Sequence, residues 1–195
     1  MYIETETTPN PAVLKFLPGR EVMAAGTREF TNEQDAAASP LAEALFSHGD
    51  VTGVFYGRDF ISITAGPGVA WNDLKPQVVA MLLDHFVSGA PLFSGPDASG
   101  IVVPADDYGA EAGSDDNPAD ADVIAQIKDL LETRIRPAVA NDGGDIIYKG
   151  FSEGVVYLTM QGACAGCPSS TATLKNGIEN LLKHYVPEVT EVRAA

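Results

Sequence analysis

The chain has 195 residues, of which 45% are hydrophobic, and no apolar run approaches the roughly 18 residues that a transmembrane helix needs. Its formal net charge at pH 7 is −15, which argues against nucleic acid as a partner because phosphate contacts need clustered lysine and arginine. The first residues contain two glutamates and no base, and they lack the features of a signal peptide or an organellar presequence. We therefore expect a bacterial cytoplasmic protein with no membrane partner; a processed organellar protein is the alternative.

An acidic segment separates two predicted domains. Residues 106–122 carry seven acidic residues and no lysine or arginine, and the stretch 106–120 has no apolar periodicity. Such a stretch cannot bury enough apolar surface to offset the entropy lost on ordering, so we expect a flexible linker over 106–120. This interpretation places an N-terminal domain at 1–105 and a C-terminal domain at 121–195, both of the α/β (α+β) class.

The first predicted domain combines strands with two helices. Ser39 is a good N-cap and Pro40 favours the first helical position, so a short helix is expected there. Apolar residues at helical spacing predict a second helix from Trp71 to a stop at Gly89, with a kink or a later start at Pro76. The predicted strands are 12–17, 51–56 and 60–64, the last two forming a hairpin. The expected fold is a small α/β sandwich with an antiparallel sheet.

The second predicted domain has the element order α-β-β-α-β. Apolar residues recur at helical spacing over 123–135, and we expect this helix to break near Arg136-Pro137. A turn rich in glycine and aspartate then leads into the sheet. The remaining predicted elements are strands at 146–149 and 155–160, a helix at 174–185 and a strand at 189–193.

The two cysteines, Cys164 and Cys167, are the only ones in the chain and form a Cys-x-x-Cys motif. Such a pair can form a redox disulfide or supply half of a zinc or iron–sulfur site. A structural zinc ion needs four protein ligands, and an iron–sulfur cluster is normally held by four thiolates. One chain supplies two, so either metal interpretation requires a second chain or an added thiol.

The residues around the motif suggest how the thiols are presented. Ser169 or Ser170 is a good N-cap for a following helix, with Pro168 just before it. The positive end of that helix favours thiolate over thiol, and flanking glycines let backbone N–H groups approach sulfur. We therefore expect an exposed pair of low-pKa thiolates on a loop, which suits a metal site that must be loaded and unloaded.

Three other interpretations of the cysteine pair are weaker. A thioredoxin-like redox motif also begins a helix, but only 28 residues follow Cys167, which is too few for the rest of that fold. A zinc ion shared by two chains lacks a nearby histidine, since His184 is a helix length away. Two incidental cysteines would not explain why glycines, a proline and a helix cap converge on them.

Several motifs resemble the NifU-like (Nfu) family of iron–sulfur cluster carriers. In the second domain they are Arg136-Pro137, Asp142-Gly143-Gly144-Asp145, Gly162-x-Cys164-x-x-Cys167-Pro168-x-Ser170 and Thr173-Leu174-Lys175-x-Gly177-Ile178-Glu179. In the first domain they are Thr8-Pro9-Asn10-Pro11, Leu14-Lys15-Phe16, Pro18-Gly19, Ser39-Pro40-Leu41 and Leu74-Lys75-Pro76. The resemblance spans nearly the whole chain outside the predicted linker.

The resemblance implies a function for the cysteine pair. Cys164 and Cys167 of each of two chains would bridge one [4Fe–4S] cluster per homodimer and deliver it to apo iron–sulfur proteins. Upstream cluster-assembly proteins would be the donors, and the chain would not be an enzyme. The alternative is a thiol–disulfide redox protein that uses the same two cysteines.

Two acidic residues and a tryptophan have simpler interpretations. Asp142 and Asp145 flank two glycines and could assist iron entry, but ordinary turn chemistry is the favoured interpretation. Trp71 recurs at helical spacing with apolar residues, so we expect it in the core.

Four further residues receive no functional role from the sequence. Lys175 and Glu179 are four apart on the last predicted helix, which is typical of a surface ion pair. His48 and His85 have no partner that the sequence identifies.

Overall fold

A computed structural model describes residues 2–94, 118–165 and 168–195. The chain divides into two compact units, Met1–Val103 and Pro104–Ala195. Both units mix helices with a sheet, which confirms the predicted α+β class in two domains. The predicted linker lies outside the described residues except for Pro118–Asp120, which form a short 3-10 helix. Within the described part of the chain, no helix has the length and hydropathy needed to cross a bilayer.

The first unit is built on a five-stranded antiparallel sheet. Its elements are β1 (Glu4–Thr7), β2 (Val13–Leu17), β3 (Arg28–Phe30), α1 (Glu33–Ala36), α2 (Pro40–Ser47), β4 (Val51–Tyr56), β5 (Ile61–Ala65) and α3 (Trp71–Ser88). The strand order is β1-β2-β5-β4-β3, so β1 and β3 are the edge strands. The predicted strands and two predicted helices are confirmed, whereas β1, β3 and α1 were not anticipated.

Local signals explain where the helices of this unit begin and end. The Ser39 hydroxyl accepts a hydrogen bond from the Ala42 N–H and so caps α2, and it also lies 2.8 Å from the Tyr56 hydroxyl. Gly89 ends α3 in the left-handed conformation, with φ of 69°. The later start predicted at Pro76 is wrong, because α3 runs from Trp71 through Pro76. A proline this near the N-terminus removes a single helical hydrogen bond.

The core of the first unit lies between the sheet and its helices. Apolar side chains from the central strands pack against those of α2 and α3. Members that are almost fully buried include Phe16, Phe30, Leu41, Leu45, Tyr56, Ile61, Ile63, Leu74, Val78 and Leu82. Removing any one of the large aliphatic side chains would leave a cavity that costs about 2–5 kcal/mol.

The second unit has the predicted α-β-β-α-β order. Its elements are α4 (Ala121–Leu130), a π-helical turn (Leu131–Ile135), α5 (Arg136–Asn141), β6 (Gly144–Ser152), β7 (Val155–Gly162), α6 (Pro168–Tyr185) and β8 (Glu191–Ala194). Strands β6 and β7 are antiparallel, and β8 pairs with β7 in parallel. The tight β6–β7 turn places Glu153 and Gly154 at φ of 50° and 82°, which typifies a two-residue hairpin turn.

Two helix boundaries in this unit differ from the prediction. The first helix does not break at Arg136-Pro137, because the π-helical turn leads directly into α5, which begins at Arg136. Helix α6 begins at Pro168, ahead of the serines that were expected to cap it. The early start of α6 agrees with the preference of proline for the first helical turn.

Candidate functional site

The loop that carries Cys164 is joined by hydrogen bonds to the turn between α5 and β6. Strand β7 ends at Gly162, whose φ of 65° reverses the chain. The Ala163 N–H then donates to the Gly143 carbonyl over 3.1 Å, and the Ala165 N–H donates to the Gly162 carbonyl over 3.0 Å. Gly143 itself has φ of 82°, a conformation that favours glycine. Two glycine turns therefore meet at Cys164.

Gly144 makes room for the cysteine sulfur. A Cβ atom at Gly144 would lie 2.5 Å from the Gln161 carbonyl oxygen and 2.9 Å from Sγ of Cys164. Real side chains do not tolerate such contacts, so the position requires glycine for close packing. The first residue of β6 thus fixes how near the Cys164 thiol lies to the sheet.

Cys164 is buried, with 5% of its surface exposed. Burial first, and then the carboxylates of Asp142 and Asp145, together raise the pKa of the Cys164 thiol to about 12. The expectation of an exposed, low-pKa thiolate is therefore wrong for Cys164. The thiol packs beneath a glycine turn and beside two acidic residues, and both effects disfavour the charged form.

An ion pair between the partly buried Arg136 and the buried Asp145 lies next to this loop. The Arg136 guanidinium donates from Nε to Oδ1 of Asp145 over 2.8 Å and from the second terminal nitrogen to Oδ2 over 2.7 Å. Its other terminal nitrogen donates to Glu132. Burial alone would lower the Arg136 pKa, but the hydrogen bonds to Asp145 and Glu132 raise it above its usual value. Asp145 also accepts from the Ile146 N–H over 2.8 Å, so one carboxylate joins α5 to β6.

The structure separates the two aspartates that the sequence grouped together. Asp142 lies in the turn after α5, and its N–H donates to the Ala138 carbonyl over 3.3 Å, as a turn residue would. Asp145 is 3% exposed, belongs to β6 and is paired with Arg136, so the interpretation as ordinary turn chemistry is wrong for it. The spacing of the residues in the sequence does not predict the Arg136–Asp145 ion pair, although both residues belong to the motifs noted above.

Three other predicted residues either fall outside the described ranges or belong to the first unit. Cys167 is outside the described residues, so the structure places only one member of the pair. Trp71 is half-buried at the border of the core, and its indole N–H donates to the Pro11 carbonyl over 3.2 Å. His48 has partners after all, since Nε2 lies 2.5 Å from Oε1 of Gln77 and Nδ1 lies 3.4 Å from Asp50.

The predicted pairing of the last helix is also different. Glu179 pairs with Lys183 over 2.6 Å rather than primarily with Lys175. Its other carboxylate oxygen accepts a hydrogen bond from the Val192 N–H of β8 over 3.0 Å. Glu179 therefore covers a backbone donor at the edge of the sheet, which gives it a structural role that helix spacing could not reveal.

The donor chemistry of the loop fits an iron–sulfur cluster. Cys164 places a thiol sulfur in this loop, and Gly144 allows the backbone to pack closely against it. The side-chain oxygen of Gln161, at the end of β7, is buried without a hydrogen-bond partner in the described part of the chain. Within the same described ranges, no three His, Cys, Asp or Glu side chains are grouped as a complete metal site would require. Four thiolates normally hold an iron–sulfur cluster, so a cluster at Cys164 would need further ligands.

Comparisons with known proteins agree with this arrangement. Residues 3–89 match the family model described as "Scaffold protein Nfu/NifU N terminal", and residues 127–193 match the "NifU-like domain". NFU1 iron-sulfur cluster scaffold homolog, mitochondrial, of Homo sapiens is 48% identical over 98% of this chain, which covers 71% of that protein. The chain thus carries an Nfu/NifU N-terminal domain followed by a NifU-like domain. It belongs to the NifU-like (Nfu) family.

Two plant relatives bear on the expected location. NifU-like proteins 5 and 4, mitochondrial, of Arabidopsis thaliana are 48% and 50% identical over 98% of this chain. The chain spans about two thirds of their length, 67% and 65% respectively. These names contradict the expectation of a bacterial cytoplasmic location, which relied on the composition of the first residues alone. The organellar alternative agrees with them.

Proposed function

We propose that this chain is an iron–sulfur cluster scaffold and carrier. In this proposal Cys164 and Cys167 from each of two chains hold one [4Fe–4S] cluster, which is cargo received from an assembly protein and delivered to apo-proteins. The chain has no turnover of its own. The observation that carries the proposal is a sulfur ligand fixed between two glycine turns in a chain with only two cysteines.

The number of cysteines supports a dimeric site. Four thiolates normally hold an iron–sulfur cluster, and two chains together provide four. Separation of the chains then removes half of the ligands in one step, which provides a route for release. An electron-transfer protein gains from four ligands in one chain, because these keep the site geometry fixed through redox cycling. We therefore favour transfer of the cluster over electron transfer.

The buried thiol disfavours the thiol–disulfide alternative. The thiolate is the attacking species in disulfide exchange, and burial raises the pKa of Cys164 to about 12. Access also limits exchange, since 5% of the Cys164 surface is exposed. Cys164 is thus poorly suited to attack a disulfide from outside the chain.

Substitution of the proposed ligands tests the assignment. Cys164→Ser and Cys167→Ser should each abolish stable cluster binding after anaerobic reconstitution, as measured by iron content. Ser47→Cys, at the end of α2 in the other domain, controls for the number of thiols when it is combined with Cys164→Ser. Normal iron retention in either single variant would contradict the assignment, provided that circular dichroism shows a native fold.

Cluster type, stoichiometry and transfer need separate measurements. Mössbauer spectroscopy of the reconstituted protein should show a [4Fe–4S] cluster, and sedimentation should show a dimer that dissociates when the cluster is removed. The loaded protein should then activate an apo [4Fe–4S] enzyme in the presence of a strong chelator. If the apo-enzyme is activated no faster than by free iron and sulfide in the presence of the same chelator, the chain is not a carrier. If the loaded protein is a monomer without added thiol, the cluster does not bridge two chains.

A further inference from the structure

A cleft of about 280 Å³ lies in the first unit, beside the edge strand β1. It is formed where β1 and the start of β2 face the first turns of α3. The residues that line it are Thr5, Thr7, Thr8, Pro11, Val13, Leu14, Trp71, Asn72 and Lys75. Four of these residues (Thr8, Pro11, Leu14 and Lys75) belong to the first-domain motifs noted in the sequence, and the proposed cluster site gives those motifs no role.

The cleft combines an aromatic surface with free polar groups. The Trp71 ring is half-buried and packs near Phe16, with 6.2 Å between the ring centroids. The side chains of Asn72 and Lys75 make no hydrogen bond or ion pair with other described residues. An aromatic face with amide and ammonium donors beside it is suited to binding a polypeptide, which offers both apolar side chains and carbonyl acceptors.

Strand β1 gives the cleft a backbone edge. In the described part of the chain β1 pairs only with β2, so one side of its backbone has N–H and C=O groups without strand partners. A groove between an edge strand and a helix is where extended peptides add to a sheet in known recognition domains. The strand supplies hydrogen bonds, and the helix side supplies contacts for alternate side chains.

The charges of β1 indicate which peptide fits. Thr5 and Thr7 face the cleft, so Glu4 and Glu6 lie on the opposite face of the strand. Glu6 contacts Lys15 at 3.3 Å, whereas Glu4 has no ion pair among the described residues. An added strand would place every second side chain next to these glutamates, where lysine or arginine is favoured.

The same charges disfavour a second copy of this chain as the occupant. Two β1 strands paired edge to edge would bring the glutamates of both copies close together, and like charges on neighbouring strands are destabilising. Acidic side chains at an edge also protect against self-association. Protection of the edge from self-association would not, however, require a cleft beside β1.

We propose that the β1–α3 cleft binds an extended segment of a partner protein in which apolar and basic residues alternate. The segment adds to the sheet as a sixth strand beside β1. Its apolar side chains enter the cleft against Trp71, and its basic side chains lie beside Glu4 and Glu6 on the other face. This docking site lies in the first unit and uses no residue of the cysteine loop.

A synthetic peptide tests the proposal on the full chain. The probe is a blocked eight-residue peptide of alternating valine and lysine, and the readout is the emission of Trp71, the only tryptophan in the chain. We expect a saturable change in emission together with slower amide hydrogen exchange in β1. Alternating valine and glutamate should bind at least roughly tenfold more weakly, because its acidic side chains meet Glu4 and Glu6.

Two variants separate docking from general attraction to an acidic protein. Glu4→Lys should weaken binding of the valine–lysine peptide roughly fivefold. Glu43→Lys, an exposed position on α2, changes the net charge equally and should leave binding unchanged. A peptide with proline in place of the central valines should not bind, because it cannot complete the strand hydrogen bonds.

Several outcomes would overturn the proposal. These are no binding, equal binding of the glutamate or proline peptide, an equal effect of Glu4→Lys and Glu43→Lys, and binding without protection of β1. The protein could also form dimers at high concentration in which hydrogen exchange of β1 is slowed without peptide. That result would assign the edge of β1 to a second copy of the chain, and the proposal of a basic partner would fail.

Discussion

Replacing Gly144 by alanine tests whether close backbone packing holds the cysteine loop. The new Cβ atom would lie 2.5 Å from the Gln161 carbonyl oxygen and 2.9 Å from the Cys164 sulfur. Since real contacts of this kind are not shorter than 3.0 Å, the carbonyl has to move by at least ~0.5 Å. This oxygen belongs to the backbone of β7, which is paired with β6, so the sheet itself is disturbed.

The expected magnitude follows from two opposing effects. Overpacking in a well-packed region destabilises by about 1–3 kcal/mol. Alanine also restricts the unfolded chain, which offsets about 0.4–1 kcal/mol of that loss. The net destabilisation of the second unit should therefore be about 1–2 kcal/mol. The iron retained after reconstitution should fall by a larger factor than the stability does, because the new Cβ atom also displaces the Cys164 sulfur, the proposed ligand.

Gly177→Ala is the matched control. A Cβ atom at Gly177, inside α6, meets no heavy atom within 4 Å, so alanine should stabilise the helix by about 0.5–1 kcal/mol. Amide hydrogen exchange in β6 and β7 measures the stability of the second unit separately from the first, and iron content measures cluster retention. Wild-type stability and iron retention in Gly144→Ala would refute the packing argument.

Three further substitutions test other interactions. Arg136→Met leaves Asp145 buried without its cation and should destabilise the second unit by about 3 kcal/mol, seen as faster exchange in β6. Burial lowers the pKa of His85 below its ordinary value of 6.5, so the unfolded chain takes up a proton at a higher pH than the folded chain does. The free energy of unfolding of the first unit should therefore fall as the pH is lowered below 6.5. The urea midpoint, followed by tryptophan emission, should show this loss, and the loss should be smaller in His85→Gln. Glu179→Ala should speed exchange of the Val192 amide and cost less than about 1 kcal/mol.

Local sequence signals predicted much of the fold. Ser39 caps α2 and Gly89 ends α3 as their residue types favour. The hairpin around 57–59 and the α-β-β-α-β order of the second unit were also readable from apolar patterns and turn residues. Strand β1 was not, because Glu4–Thr7 has no apolar residue and forms a strand only through pairing with β2.

The environment of the candidate site depends on contacts that the sequence does not reveal. Both cysteines were recognisable from their spacing, but the burial of Cys164 results from two turns that meet through the Ala163–Gly143 hydrogen bond. The Arg136–Asp145 pair likewise needs α5 and β6 to be side by side. A helix start after Cys167 suggested a stabilised thiolate, whereas tertiary packing produced the opposite effect on Cys164.

This reversal bears on the proposed release of the cluster. A cysteine must lose its thiol proton to become a ligand, so cluster binding releases protons. The affinity for the cluster is therefore lower when the pKa of the cysteine is higher. The burial of Cys164 and its acidic neighbours favour the protonated thiol, which lowers the net affinity compared with an exposed thiolate. An acceptor whose cysteine thiols are exposed, with pKa values nearer the ordinary range, would incur less of this cost. The difference would then favour the proposed transfer from the carrier to that acceptor, and the protonated thiol of the carrier is less open to oxidation after the cluster has left.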